Sequence, residues 1–152
     1  MTLAVQLVQA TSQRIAAVQV SVAPGGIGAV WRPALDQVWR FLRLHPELAP
    51  GQNLFLYHHP PRPGAAMAVD FGVQVAGDFT PDGNVRGAVV PAGPVARALH
   101  VGPMDRISET HAAIHDWCRE HGHQIGGTSW ESYGDWGDDP AQYEVWITYL
   151  LA

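Results

Sequence analysis

The chain has 152 residues, 47% hydrophobic and 15% charged, which suits about one domain with a real core. Nine arginines, no lysine and fourteen acids leave a formal charge of −5 without the cationic cluster that a nucleic-acid surface needs to displace phosphate counterions. The single cysteine, Cys118, excludes an internal disulfide, and neither a cationic leader nor an apolar run of membrane-spanning length is present, so a soluble cytoplasmic protein with no nucleic-acid or membrane partner is expected.

Val5–Val8 reads as a short strand and Arg14–Val22 as a longer one rich in β-branched residues. Pro24-Gly25-Gly26 closes it as a plain turn, because it lacks the glycine spacing of a phosphate-binding loop. A helix follows over Ile27–Arg43, with Leu35, Val38, Trp39 and Leu42 on one apolar stripe. Leu54–Tyr57 is a strand, and three prolines keep His58 to Gly64 irregular. Met67–Val75 alternates apolar and polar residues as a strand with one face on the core. Pro81-Asp82-Gly83 is a turn near the middle of the chain.

The second half repeats the first. Val85–Val90 and Val95–Val101 are strands around the break at Pro91–Pro94, and Met104–Glu120 is a helix ended by Gly122. Thr128–Trp136 and Tyr143–Leu150 are the last strands, joined by a turn at 137–140. Pro24 and Pro103, Trp39 and Trp117, and Tyr57 and Tyr133 fall at matching places. The unit is a strand, a helix and a hairpin, with halves of about 1–80 and 81–152 in one domain. Two such units about a pseudo-twofold predict an α+β fold. One curved antiparallel sheet carries both helices on one face and leaves a ligand groove on the other.

The stretch Trp130-Glu131-Ser132-Tyr133-Gly134-Asp135-Trp136 sets a carboxylate inside an aromatic-rich strand. Strand alternation puts Glu131 on one face with Ser129, Tyr133 and Asp135, and Trp130 and Trp136 on the other. An unpaired buried carboxylate is costly, so Glu131 is either a solvated edge residue or the anionic centre of a pocket. Six tryptophans, four tyrosines and four phenylalanines favour a pocket. His111 and His115 stand one turn apart on the second helix, a spacing that can hold zinc. The glutamate of H-E-x-x-H is missing and His111 lies on the core stripe, so no metal and no cofactor is expected. Cys118 on the same stripe reads as a small core residue.

The segment Pro91-Ala92-Gly93-Pro94-Val95-Ala96-Arg97-Ala98-Leu99-His100-Val101-Gly102-Pro103 resembles the P-A-G-x-x-A-x-x-x-H-x-G-P run of GyrI-like small-molecule-binding domains, in the wider SOUL/GyrI-like effector-binding superfamily. Ile114-His115-Asp116-Trp117-Cys118 is similar to the family's L-x-x-W-L, and Trp130–Tyr133 to its x-E-x-Y. Gln13-Arg14-Ile15-Ala16 and Thr148-Tyr149-Leu150 also match in position, so the resemblance covers essentially the whole chain.

The resemblance implies a duplicated strand-helix-strand-strand fold and a stand-alone member that senses or sequesters a hydrophobic, aromatic, drug-like molecule. It makes Glu131 the floor of the groove and Trp146, placed opposite it in the terminal hairpin, the stacking aromatic. Tyr57, Phe71 and Tyr133 become walls and Trp31 a rim residue. A flat cation would gain roughly 0.5–2 kcal/mol per ring beside the carboxylate, whose pKa in the empty site is expected to be raised. Two alternatives stay open. One family branch hydrolyses cyclopropane-bearing genotoxins, which would make Glu131 a general acid or base with Tyr133 or His100 as proton-transfer partner, although His100 also reads as a structural histidine. Gyrase-inhibiting relatives imply a protein-binding role. His111 departs from the family, which usually has a bulky apolar residue or a tyrosine there. A free sheet edge is a candidate homodimer surface.

Overall fold

A computed structural model describes residues 3–134 and 138–152. Asp135, Trp136 and Gly137, on which the end of one expected strand and the start of a turn fell, lie outside the described residues. The elements in order are β1 (Gln6–Ala10), β2 (Gln13–Val22), α1 (Ile27–Arg43), β3 (Asn53–His58), β4 (Met67–Gln74), β5 (Arg86–Val90), β6 (Gly93–Val101), α2 (Ile107–Glu120), β7 (Ile125–Tyr133) and β8 (Glu144–Leu151). Met104–Arg106, expected as the first turn of α2, is a separate 3-10 turn. Gly122 takes φ +73°, the left-handed residue that ends α2.

The strands form one antiparallel sheet in the order β1-β6-β8-β7-β3-β4-β2-β5. Reversing that order exchanges the two repeats, so the pseudo-twofold axis passes between β3 and β7. Each repeat lends its first strand to the other: β1 pairs with β6 and β5 with β2. β7 begins three residues earlier than the alternation predicts, because Gly126-Gly127 is strand and not loop. A Cβ on Gly126 would lie 3.1 Å from the Leu150 carbonyl oxygen, so the glycine lets β8 approach closely where the pairing shifts register between Ile125 and Ser129.

Both helices lie on one face, as expected. The buried stripe of α1, Ala34, Leu35, Val38, Phe41 and Leu42, packs against β2 and β4, and Trp39 donates its indole N–H to Asn53 Oδ1 at 2.8 Å. α2 buries Thr110, Ile114 and Cys118 against β6 and β8. The opposite face is closed by its own apolar cluster of Ile15, Leu54, Leu56, Val90, Val95 and Trp130. That filling has a consequence for the groove. Each helix packs mainly on its own repeat, and Glu131 faces the helices, where it meets His111 of α2, and not the helix-free side.

Candidate functional site

The site is built on the central strands. Phe55 stands opposite Glu131, Asn53 opposite Tyr133 and Tyr57 opposite Ser129. On the other side of β7, β8 sets Ile147 opposite Glu131 and Tyr149 opposite Ser129. Residues paired across a sheet share a face, so Tyr57, Glu131, Tyr133 and Tyr149 all point toward the helices.

Glu131 is 6% exposed and fully engaged. Tyr57 donates its hydroxyl to Oε1, and Tyr133 donates to the same oxygen at 2.5 Å. His111 of α2 meets Oε2 through Nε2 at 2.8 Å. The other ring nitrogen, Nδ1, lies 2.7 Å from the Tyr149 hydroxyl. An ionised carboxylate only accepts, so His111 Nε2 carries a proton and donates. In the neutral ring, Nδ1 then accepts from Tyr149. The two tyrosines that share Oε1 are the pair that the internal repeat matched, converging across the pseudo-axis.

Burial pushes the Glu131 carboxyl upward, but the hydrogen bonds from His111, Tyr133 and Tyr57 outweigh it and hold the pKa below the ordinary carboxylate value. The expected upward shift is thereby corrected: the strand pairing supplies the donors that burial alone would have withheld. Tyr57 and Tyr133 move well above the usual phenol range through burial and the Glu131 charge, and Tyr149 moves up for the same reasons. All three are neutral donors beside an ionised carboxylate.

Three imidazoles surround the Tyr149 ring. His59, just after β3, stacks on it with centroids 6.1 Å apart and holds Ser129 Oγ at 2.6 Å through Nε2. His111 and His115 meet the ring edge-on at 5.7 and 4.8 Å. Burial, then the neighbouring imidazoles, pushes His59 and His115 below the usual histidine range. His59 also lines a cavity of about 380 Å³ beneath the proline-rich loop, with Ile27, Pro61, Pro63 and Met67 among its walls.

Of the residues expected from sequence, Glu131, Tyr57 and Tyr133 come together. Trp31 stands on the α1 wall, 6.2 Å from Phe55, which in turn packs edge-on against Tyr133 at 4.8 Å. Phe71 is 0% exposed and, paired with Phe55 across β3 and β4, packs edge-on beside it at 4.9 Å on the same face, within the core under α1. Trp146 is a correction. It pairs with Ser132 and Leu99, not with Glu131, and so lies on the opposite face beneath the Arg97 guanidinium, 4.7 Å from its ring centre. A one-residue error of register transfers a side chain across the sheet. Ile147 holds the expected position, and Tyr149, two residues further, supplies the aromatic.

His111, His59, His115, Tyr149 and Phe55 join the cluster without a local sequence signal for this role. The i, i+4 spacing of His111 and His115 suggests a metal pair, and His111 also stands where the family has a bulky apolar residue or a tyrosine. Both nitrogens of His111 are engaged by Tyr149 and Glu131, and among the described residues no group of three or more His, Cys, Asp or Glu is set to hold a metal ion. His100 contacts Thr110 Oγ1 at 2.8 Å and the Pro103 carbonyl at 3.0 Å, tying the end of β6 to the start of α2.

Against known protein families, residues 3–150 match the GyrI-like small molecule binding domain. The chain belongs to this family. No curated protein sequence matches it. Among solved structures, the EcmrR C-terminal domain is 19% identical, with a TM-score of 0.82 over 100% of this chain and 99% of that one. The chain spans 57% of the EcmrR chain in a DNA complex, at 20% identity, a TM-score of 0.81 and 98% coverage of this chain. SAV2435 bound to tetraphenylphosphonium is 16% identical, with a TM-score of 0.73 over 98% and 94% of the two chains. A hydrolase encoded by lin2189 from Listeria innocua is 11% identical, with a TM-score of 0.62 over 97% and 91%. These likenesses establish a shared fold for the GyrI-like domain. Among the described residues no helix is long and apolar enough to cross a membrane.

Proposed function

We propose that this GyrI-like domain senses or sequesters a hydrophobic, aromatic small molecule on the helix side of its sheet, with cationic members of that class held over Glu131. The observation that carries the reading is the buried carboxylate on the pseudo-axis, ionised and walled by Tyr57, Tyr133, Tyr149 and Phe55. Aromatic faces attract a cation by roughly 0.5–2 kcal/mol each, and the carboxylate adds a charge term in a poorly solvated place. The cavity under the proline-rich loop shares His59 with the imidazole cluster around Tyr149. Tetraphenylphosphonium on SAV2435, a protein of similar fold, is a ligand of the chemistry this site suits.

The test is quenching of tryptophan fluorescence by a panel of planar dyes, rhodamine-like cations beside neutral analogues. Trp31, 6.2 Å from Phe55, is a reporter on the helix side of the sheet. A cation about 5 Å from the carboxylate at an effective dielectric of about 20 gains about 3 kcal/mol, so Glu131→Gln should weaken cation binding by roughly 100- to 300-fold and spare neutral analogues. Equal loss for both classes, or no saturable quenching by any compound, would remove the anionic pocket. Product formation that Glu131→Gln abolishes while binding survives would move the assignment to a hydrolase.

A further inference from the structure

We propose that His111 is the built-in cation of the Glu131 site, so that a lipophilic cation enters in exchange for the proton of the His111 imidazole. The inference rests on the pocket reading above and deepens it, from a site that tolerates cations to one in which cation capture is coupled to proton release.

The geometry carries the argument. Among the described residues the ion pair that Glu131 makes is with His111, and it lies in the interior, with side-chain exposures of 8% and 25%. Tyr57 and Tyr133 fill Oε1 with neutral hydroxyls, so the charge of the cluster is decided on the Oε2 side. There His111 has two states. As imidazolium it donates to Glu131 through Nε2 and to the Tyr149 oxygen through Nδ1, and the cluster is neutral. As neutral imidazole it keeps the Nε2 donation, accepts from Tyr149, and leaves the cluster with one full negative charge. Both states keep the His111 contacts to Glu131 and Tyr149, so moving between them needs rotation of the Tyr149 hydroxyl and exchange of one proton. A ligand cation sees an attractive carboxylate in the second state and a filled ion pair in the first.

The groups around His111 leave it as the charge that changes. β7 presents Glu131, Ser129 and Tyr133, β8 presents Tyr149, and β3 with the following loop presents Tyr57 and His59. On α2 itself His115 follows one turn later, with Asp116 and Arg119 paired to each other on the exposed side. Glu131 stays ionised and the tyrosines stay neutral around neutrality. His59 and His115 are pushed toward the neutral form, and each feels the imidazole of His111. Histidine is the side chain that changes charge between about pH 5 and pH 8, and His111 is the histidine bonded to the carboxylate.

The experiment titrates the full chain with tetraphenylphosphonium, a permanent cation that cannot itself titrate, from about pH 5.5 to about pH 8.5. Triphenylphosphine oxide serves as the neutral comparison. Calorimetry in buffers of different ionisation enthalpy counts the protons released. The expected result is an affinity that rises at the acid end by up to about tenfold per pH unit and then levels, with close to one proton released per cation bound on the rising part. The neutral compound should show neither effect. His111→Phe should bind the cation with a flat pH profile and no proton release. A flat wild-type profile, or a slope that survives in His111→Phe, would overturn the exchange while leaving the pocket in place. Absence of phosphonium binding at every pH, in wild type and variant, would overturn the pocket reading and the exchange together. The proton count needs only wild-type protein, so a poorly folding variant does not decide the matter, and His111→Gln provides a second replacement without a titrating ring.

Discussion

Two tyrosines from opposite repeats donate to one oxygen of a carboxylate that is 6% exposed, and that arrangement can be tested by removing them. A hydrogen bond to a charged acceptor contributes about 1.5–3 kcal/mol. Because Tyr57 and Tyr133 share Oε1, the remaining donor offsets part of each loss. Tyr57→Phe or Tyr133→Phe alone should therefore cost about 1–2 kcal/mol, and the double variant more than the sum. In a chain of this length each kcal/mol lowers the melting temperature by about 2–4 °C. The sign with pH follows from the carboxyl, whose folded pKa is depressed. Its stabilisation is present above the unfolded value of about 4.3 and is lost as pH falls through the folded value. Each missing donor raises the folded pKa by about one unit for every 1.4 kcal/mol removed, so the gap between wild type and variant should be widest near neutrality and close in acid. Urea unfolding across pH, with carbon-13 detection of the Glu131 carboxyl, measures both quantities. The reasoning is refuted by a carboxyl pKa unchanged in Tyr57→Phe, or by coupling of less than about 0.5 kcal/mol between Tyr57 and Glu131 in a cycle with Glu131→Gln.

Two further outcomes follow from placement. Trp146 lies on the far face, so Trp146→Phe should leave cation affinity unchanged within roughly twofold, the scale of about 0.5 kcal/mol, whereas Trp31→Phe should remove most of the ligand-induced quenching. A larger effect of Trp146→Phe on affinity would show that the face assignment is wrong. Cys118 is 1% exposed and burial raises its thiol pKa, so at about pH 8 iodoacetamide should modify it only as fast as the fold opens. Equal rates in the native protein and in denaturant would contradict that burial.

Local signals were enough for the elements. The α1 boundaries Ile27 and Arg43 follow from one apolar stripe between a glycine turn and a loop, and β4 follows from strict alternation at Met67–Gln74. Both depend on periodicity within a single segment, which the chain carries in order. The internal repeat was legible for the same reason, and with it the two-helix, one-sheet architecture and the match of Tyr57 with Tyr133. Glu131 stood out because an acidic residue inside an aromatic strand has few inexpensive environments.

What the chain could not state alone was register and face. Whether Trp146 or Ile147 stands opposite Glu131 is a difference of one residue, fixed by the β7–β8 pairing and its irregularity near Gly126. Which side of the sheet Glu131 faces is likewise decided by packing, because the cluster of Ile15, Leu54, Leu56 and Trp130 fills the other side. His111 shows the limit most clearly. On its own helix it is a polar residue on a buried stripe; only when α2 is laid beside β7 and β8 does its ring fall between Tyr149 and Glu131. Periodicity is a property of one segment, whereas the charge, the donors and the face of this site come from contacts between segments distant in the chain, and only packing brings those together.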